Sequence, residues 1–184
     1  MKLSVKEMVS ISLFTALTAI GAFLSIPVGD VPITLQSMFV ILSGLLLGPK
    51  LGALSQLVYV LLGLSGIRIF AGFSGGPQTI FKPSFGFLIG FIFAAYIVGK
   101  ITNNRSKINF RRVLLATLTG TFVIYLFGVP YMYLILNNLL GETIPFSTAL
   151  KTGFIIFLPG DILKAILSSL VASKILLRIN IPQL

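Results

Sequence analysis

The chain contains no cysteine and no histidine, and only four of its 184 residues are acidic. Without cysteine there is no disulfide, no thiol nucleophile and no redox clue to compartment. Without histidine the commonest general base and metal ligand is missing. Four scattered acids make no metal cluster. A glycine-rich Walker pattern closed by Lys-Ser/Thr is absent too, so the chain has no means of its own to hydrolyse ATP. These absences leave an enzyme poorly supplied, and we expect no catalytic residue, no metal and no cofactor.

What the chain has in abundance is apolar length. Hydrophobic residues make up 56% of it, charged residues 10%, and the mean hydropathy is +1.05. That composition predicts an all-α integral membrane protein. Residues 1–184 leave room for a single transmembrane domain with short loops. A net charge of +10 in a soluble protein would suggest nucleic acid. Here the basic residues fall between apolar runs, where they set topology instead.

Six spans can be drawn. They run from about Met8 to Ile26, Ile33 to Leu47, Leu51 to Gly66, Ser84 to Gly99, within Val113 to Leu136, and Thr152 to Leu176. The Lys2 and Lys6 lead-in resembles a signal peptide, but the first apolar run is long for one and is read as an uncleaved span. Breakers separate the spans: Pro27, Gly29 and Pro32 after the first, Gly48-Pro49 after the second. Within the last, Pro159-Gly160 is expected to kink or break the helix. No convincing internal repeat is present.

Six spans put both termini on one side. The loops of that side carry ten Lys and Arg, five of them between Lys100 and Arg112, whereas the opposite loops carry three. The positive-inside rule makes the richer side cytoplasmic, in a multi-pass plasma-membrane protein.

One acid lies inside a span. Asp161 falls in a 22-residue stretch, Thr152 to Ser173, whose only other charge is Lys164. Residues i and i+3 share a helical face. A charge facing lipid at mid-membrane costs about 2.5–3.5 kcal/mol on insertion scales, so such residues turn inward, pair, and often mark a substrate path. A purely structural ion pair, or a lysine snorkelling to the interface, is the plainer alternative.

The connection from Ile67 to Pro83 is long and combines glycines 72, 75 and 76 with Phe70, Phe73 and Phe81. An aromatic, glycine-rich segment suits a wall or lid approaching a ligand with its backbone. It would equally suit rings resting among lipid headgroups. With Asp161 and Lys164, the candidate pocket takes in Gln36, Ser74, Gly75 and Gln78, opening outward. Gln36 could instead be an interhelical hydrogen bond. One carboxylate and one ammonium at the deep end would suit a neutral polar head such as a urea or amide.

Three segments together carry a family resemblance. They are Val31-Pro32-Ile33-Thr34-Leu35-Gln36 with Leu46-Leu47-Gly48-Pro49-Lys50-Leu51-Gly52; Gly72-Phe73-Ser74-Gly75-Gly76 to Pro83-Ser84-Phe85-Gly86-Phe87; and Phe157-Leu158-Pro159-Gly160-Asp161-Ile162-Leu163-Lys164. Over nearly its whole length the chain resembles BioY, the biotin-binding S component of energy-coupling factor transporters. The resemblance implies six helices around a biotin pocket near the outer surface, capped by the first and third outer loops. It also implies partnership with a transmembrane coupling protein and two cytoplasmic ATPases. Biotin's ureido ring would then offer two N–H groups to Asp161 and a carbonyl to Lys164 or a backbone amide, with its carboxylate near Lys82 or Arg68. Ser74 stands where the family carries a ligand-contacting asparagine, and Pro83-Ser84-Phe85-Gly86-Phe87 departs from Pro-Ser/Thr-Gly-Gly-Tyr. A carrier driven by a gradient, or an S component for another vitamin, is the competing reading.

The first span carries Ser12, Thr15, Ala16, Ala19 and Ala22 at spacings of three and four. Small residues let helix backbones approach closely in lipid. The stripe could pack inside the subunit. The resemblance points instead to a partner, with Ser12 and Ala16 in the family's small-x-x-x-small positions facing the coupling protein.

The absence of native cysteine makes the topology directly measurable. A single cysteine at Asn138 should react with an impermeant maleimide on intact cells, and one at Asn104 only after permeabilisation. Labelling of position 104 from outside would invert the orientation.

Overall fold

The computed structural model describes residues 3–103 and 109–178. Lys2, Asn104, Arg105 and Lys107, which enter the topology reading above, lie outside the described residues. Among the described residues the architecture is helical apart from one two-stranded hairpin and connecting segments. In order it comprises α1 (Val5–Phe23), β1 (Ser25–Ile26), β2 (Ile33–Thr34), α2 (Gln36–Leu47), α3 (Pro49–Leu64), a 3-10 turn (Pro77–Phe81), α4 (Phe85–Thr102), α5 (Phe110–Asn138), α6 (Phe146–Gly153), a second 3-10 turn (Ile155–Phe157) and α7 (Leu158–Arg178). Among the described residues, five helical segments are long and apolar enough to cross a bilayer: Val5–Phe23, Gln36–Leu64, Phe85–Thr102, Phe110–Asn138 and Phe146–Leu176. This is a multi-pass membrane protein.

Local chemistry explains where helices start and stop. Ser4 and Glu7 form a capping box at the head of α1: the Glu7 N–H donates to Ser4 Oγ at 3.3 Å, and the Ser4 N–H to Glu7 Oε2 at 2.7 Å. β1 and β2 then pair antiparallel, Ser25 with Thr34 and Ile26 with Ile33. The loop between them carries the prolines expected as breakers.

The second long segment is folded back on itself. Gly48 has a φ of 81°, outside the range of a helix, and Pro49 opens α3 in the first turn, where its missing N–H costs nothing. The two arms, of 12 and 16 residues, pack face to face. A Cβ on Gly52 would come within 2.9 Å of the Gly44 backbone, and one on Gly44 within 2.4 Å of the Ala95 carbonyl on α4. These close approaches do for packing in lipid what hydrophobic burial does in water.

Buried polar side chains tie the arms to α1. Gln56 is fully buried. Its Nε2 donates to Ser43 Oγ at 3.2 Å and to Ser55 Oγ at 3.1 Å, and its Oε1 accepts from Thr18 at 3.3 Å. Thr15 adds a 2.9 Å bond to the Ser55 carbonyl. The most extensive helix pair is α4 with α5.

The long 67–83 connection holds an antiparallel bridge, Phe70 to Ser74, and the 3-10 turn Pro77–Phe81, closed by a 2.7 Å bond from the Gly76 N–H to the Gly63 carbonyl. One expectation needs correction. The break in the last span falls at Phe154 (φ −135°, ψ −59°), between α6 and the second 3-10 turn, not at Pro159-Gly160. Pro159 is the second residue of α7, a place where no helical hydrogen bond is lost. The proline starts the helix that carries Asp161.

Candidate functional site

Because α7 begins at Leu158, Asp161 lies in its first turn and Lys164 one turn on. Asp161 is buried, and its Oδ1 lies 2.7 Å from Lys164 Nζ. No other ion pair occurs among the described residues. The hydroxyl of Tyr125, on α5, donates to the other carboxylate oxygen, Oδ2. Lys164 Nζ also donates to the Thr34 carbonyl at 3.1 Å and to Ser37 Oγ at 3.0 Å. The pair therefore pins α7 to α5 on one side and to β2 and the head of α2 on the other. An ammonium has three N–H groups, and all three are engaged. Each carboxylate oxygen retains a lone pair.

These groups line the deep part of a cleft of about 740 Å³, counted with its open mouth. Its apolar walls come from Phe70, Phe85, Phe87, Phe91 and Phe157, and its lining also takes in Pro32, buried Val31 and exposed Lys82. The connection 137–151, expected among the caps, contributes no lining residue. Edge-on contacts hold Tyr125 in place, with Phe87 at 5.9 Å and Phe154 at 4.8 Å between centroids.

The six residues singled out by sequence separate into two groups. Asp161, Lys164, Gln36 and Ser74 line the same cleft. Gln36 does so with its amide already engaged: Nε2 donates to Tyr59 Oη at 2.7 Å, and Oε1 accepts from Thr34 at 3.1 Å. Tyr59 passes the chain on to the Ile69 carbonyl at 2.9 Å. Gln36 thus braces β2 and α3 against the glycine-rich segment. Ser74 Oγ donates to the Ala71 carbonyl at 3.0 Å. Gly75 and Gln78 do not reach the cleft. A Cβ on Gly75 would lie 2.3 Å from the Ile67 carbonyl, so this glycine is required by close packing inside the loop. Gln78 is exposed and caps Gly75, with Nε2 donating to its carbonyl at 2.6 Å.

Sequence reasoning missed Tyr125, Thr34 and Ser37. A tyrosine in the middle of an apolar span needs a buried partner for its hydroxyl, a signal that was available. The Thr34 carbonyl and Ser37 carried none, because their role depends on where α7 docks. No group of three or more metal-ligating acids exists among the described residues.

Comparison with known proteins settles the family. The BioY family model matches residues 1–180. The chain belongs to the BioY family. A probable biotin transporter BioY of Pyrococcus horikoshii is 42% identical over 170 residues, covering 92% of this chain and 96% of the relative. A probable biotin transporter BioY of Lysinibacillus sphaericus is 39% identical over 172 residues (94% and 87%). The biotin transporter BioY of Thermotoga maritima is 35% identical (92% and 95%). Among solved structures, the crystal structure of the S-component for biotin from an ECF-type ABC transporter superimposes with a TM-score of 0.81 at 30% identity, covering 93% of this chain and 90% of that one. The BioY fold thus accounts for nearly the whole chain.

The pair's burial makes its halves interdependent. Removing one partner of a buried pair typically costs about 3–5 kcal/mol, because the other charge is left uncompensated. Asp161→Asn should therefore lower the thermal midpoint of the purified protein markedly, and adding Lys164→Met should recover much of the loss. An equal loss in the double variant would show that the pair contributes no coupled stability.

Proposed function

We propose that this BioY-family chain is the biotin-binding S component of an ECF vitamin transporter. It takes biotin from outside and passes it on through a transmembrane coupling protein driven by two cytoplasmic ATPases. The observation that carries the reading is the half-satisfied Asp161 carboxylate at the deep end of a phenylalanine-walled cleft. A cyclic urea brings two N–H donors to a carboxylate with lone pairs to spare. The thiophane ring fits the aromatic walls, and the valerate carboxylate fits beside Lys82, which lines the cleft. Arg68, the other cation considered, is not among the lining residues. The names of the relatives support the same ligand.

In this reading residues 1–184 form one transmembrane unit. α2 and α3 each cross the membrane, giving six crossings with both termini cytoplasmic and the cleft facing out. The ligand site comprises Asp161, Lys164, Gln36 and Ser74, and Gly75 and Gln78 shape the loop that carries Ser74. The α1 stripe divides by exposure: Thr15 and Ala22 are buried within the bundle, whereas Ser12 and Ala16 are exposed. The exposed pair is the partner face of the proposal.

Calorimetry of the purified subunit tests the ligand. Wild type should bind biotin, and Asp161→Asn should weaken binding about 30-fold to several-thousand-fold, the range for a lost buried charged partner. Normal binding by both Asp161→Asn and Lys164→Met would overturn the site. Ala16→Trp should bind biotin like wild type yet fail to copurify with the coupling protein and ATPases. Retained copurification would place that face against lipid.

A further inference from the structure

We infer that Ser37 is a specificity-determining residue of the cleft. Its hydroxyl, polarised by Lys164, is the donor that reads the carbonyl oxygen of the ligand's cyclic urea. The inference rests on the biotin reading and deepens it. Lys164 is the obvious donor for that oxygen, but its three N–H groups are already directed to Asp161 Oδ1, the Thr34 carbonyl and Ser37 Oγ. For Lys164 to serve the ligand directly, one of these bonds would have to break at a buried charge. Ser37 needs no such exchange. It lines the cleft, and its oxygen accepts from the ammonium, which leaves its own proton to give.

That proton is not returned to the helix backbone. A helical serine or threonine commonly returns its proton to a carbonyl one turn back. Ser43, Ser55, Thr117 and Thr121 all do so, to the carbonyls of Val40, Gly52, Val113 and Thr117. Ser37 makes no such bond. The carbonyl three residues before it, that of Thr34, is the one that receives Lys164. The same lysine thus occupies the carbonyl within Ser37's reach and binds Ser37's lone pair. A hydroxyl that accepts from a cation becomes a stronger donor, because bonds in a chain polarise one another. Asp161 and Ser37 are both held by Lys164, so the ammonium spaces an acceptor and a donor at the floor of one cleft. A cyclic urea presents the complementary set, N–H beside C=O. A lactam or imide presents one N–H where the urea presents two, and a thiourea presents the same donors with a poorer acceptor.

The test compares biotin with its cyclic thiourea analogue, in which sulfur replaces the ureido oxygen, by calorimetry on purified wild type, Ser37→Ala, Ser37→Thr and Ser84→Ala. Ser84 also lines the cleft and is the rival hydroxyl. Ser37→Ala should lose about tenfold or more in biotin affinity, the usual effect of leaving a buried acceptor unpaired. Its affinity for the thiourea should change less than about threefold, so the preference between the two collapses. Ser37→Thr, which keeps the hydroxyl, should retain the preference. Equal losses for both ligands in Ser37→Ala, or no loss for either, would overturn the inference and leave the biotin reading standing. Collapse of the preference in Ser84→Ala instead would overturn it too. A wild-type protein that binds neither compound would overturn the biotin reading and this inference with it.

Discussion

The contact between Asp161 and Lys164 is the constraint on which the rest depends. Two charges inside a lipid-embedded bundle are tolerated when they are paired and further hydrogen bonds support the pair. Meeting that demand draws in Tyr125 from α5, the Thr34 carbonyl from β2 and Ser37 from α2. The elements that supply these partners border the cleft, whose phenylalanine walls come from α4 and the adjoining segments. The cost of burying the pair and the assembly of the site are therefore one problem with one solution.

The asymmetry of that solution gives the site its chemistry. The ammonium is saturated and acts as a positioning centre. The carboxylate is only half-satisfied and faces an aromatic cavity. In the proposed reading, a ligand with N–H donors completes what the protein leaves open. Gln36, conspicuous in the sequence as a polar residue at membrane depth, turns out to be a brace. It holds Tyr59, and through it the Ile69 carbonyl, so that the glycine-rich segment sits over the cleft.

The rest of the bundle is held by close backbone approach and by a second polar knot around Gln56, away from the cleft. This separates two tasks. α1, α2 and α3 are joined by Thr15, Thr18, Ser43, Ser55 and Gln56, and the groups lining the cleft come from α2, α4, α5, α7 and the loops. Ser12 and Ala16 remain exposed on the outside of the first of these units, at the edge of the face that Thr15 anchors.

Much was legible from composition and spacing alone. Membrane insertion, helical class and the inward turn of Asp161 and Lys164 follow from transfer energies and helical periodicity, which are local properties of the chain. The Phe154 break, the start of α7 at Leu158 and the folding back of α2 onto α3 were harder, since Pro159-Gly160 reads equally well as a kink or as a helix start. Which glycines and amides reach the ligand space was not legible at all. Ser74 lines the cleft while Gly75 and Gln78 do not, a difference set by how one loop packs on Ile67 and Gly63. Tyr125, Thr34 and Ser37 join the site only because α7 docks between α5 and α2. Those partners are 36, 130 and 127 residues from their contacts on α7. No local pattern encodes pairings at such separations; they are decided by the packing of the whole bundle.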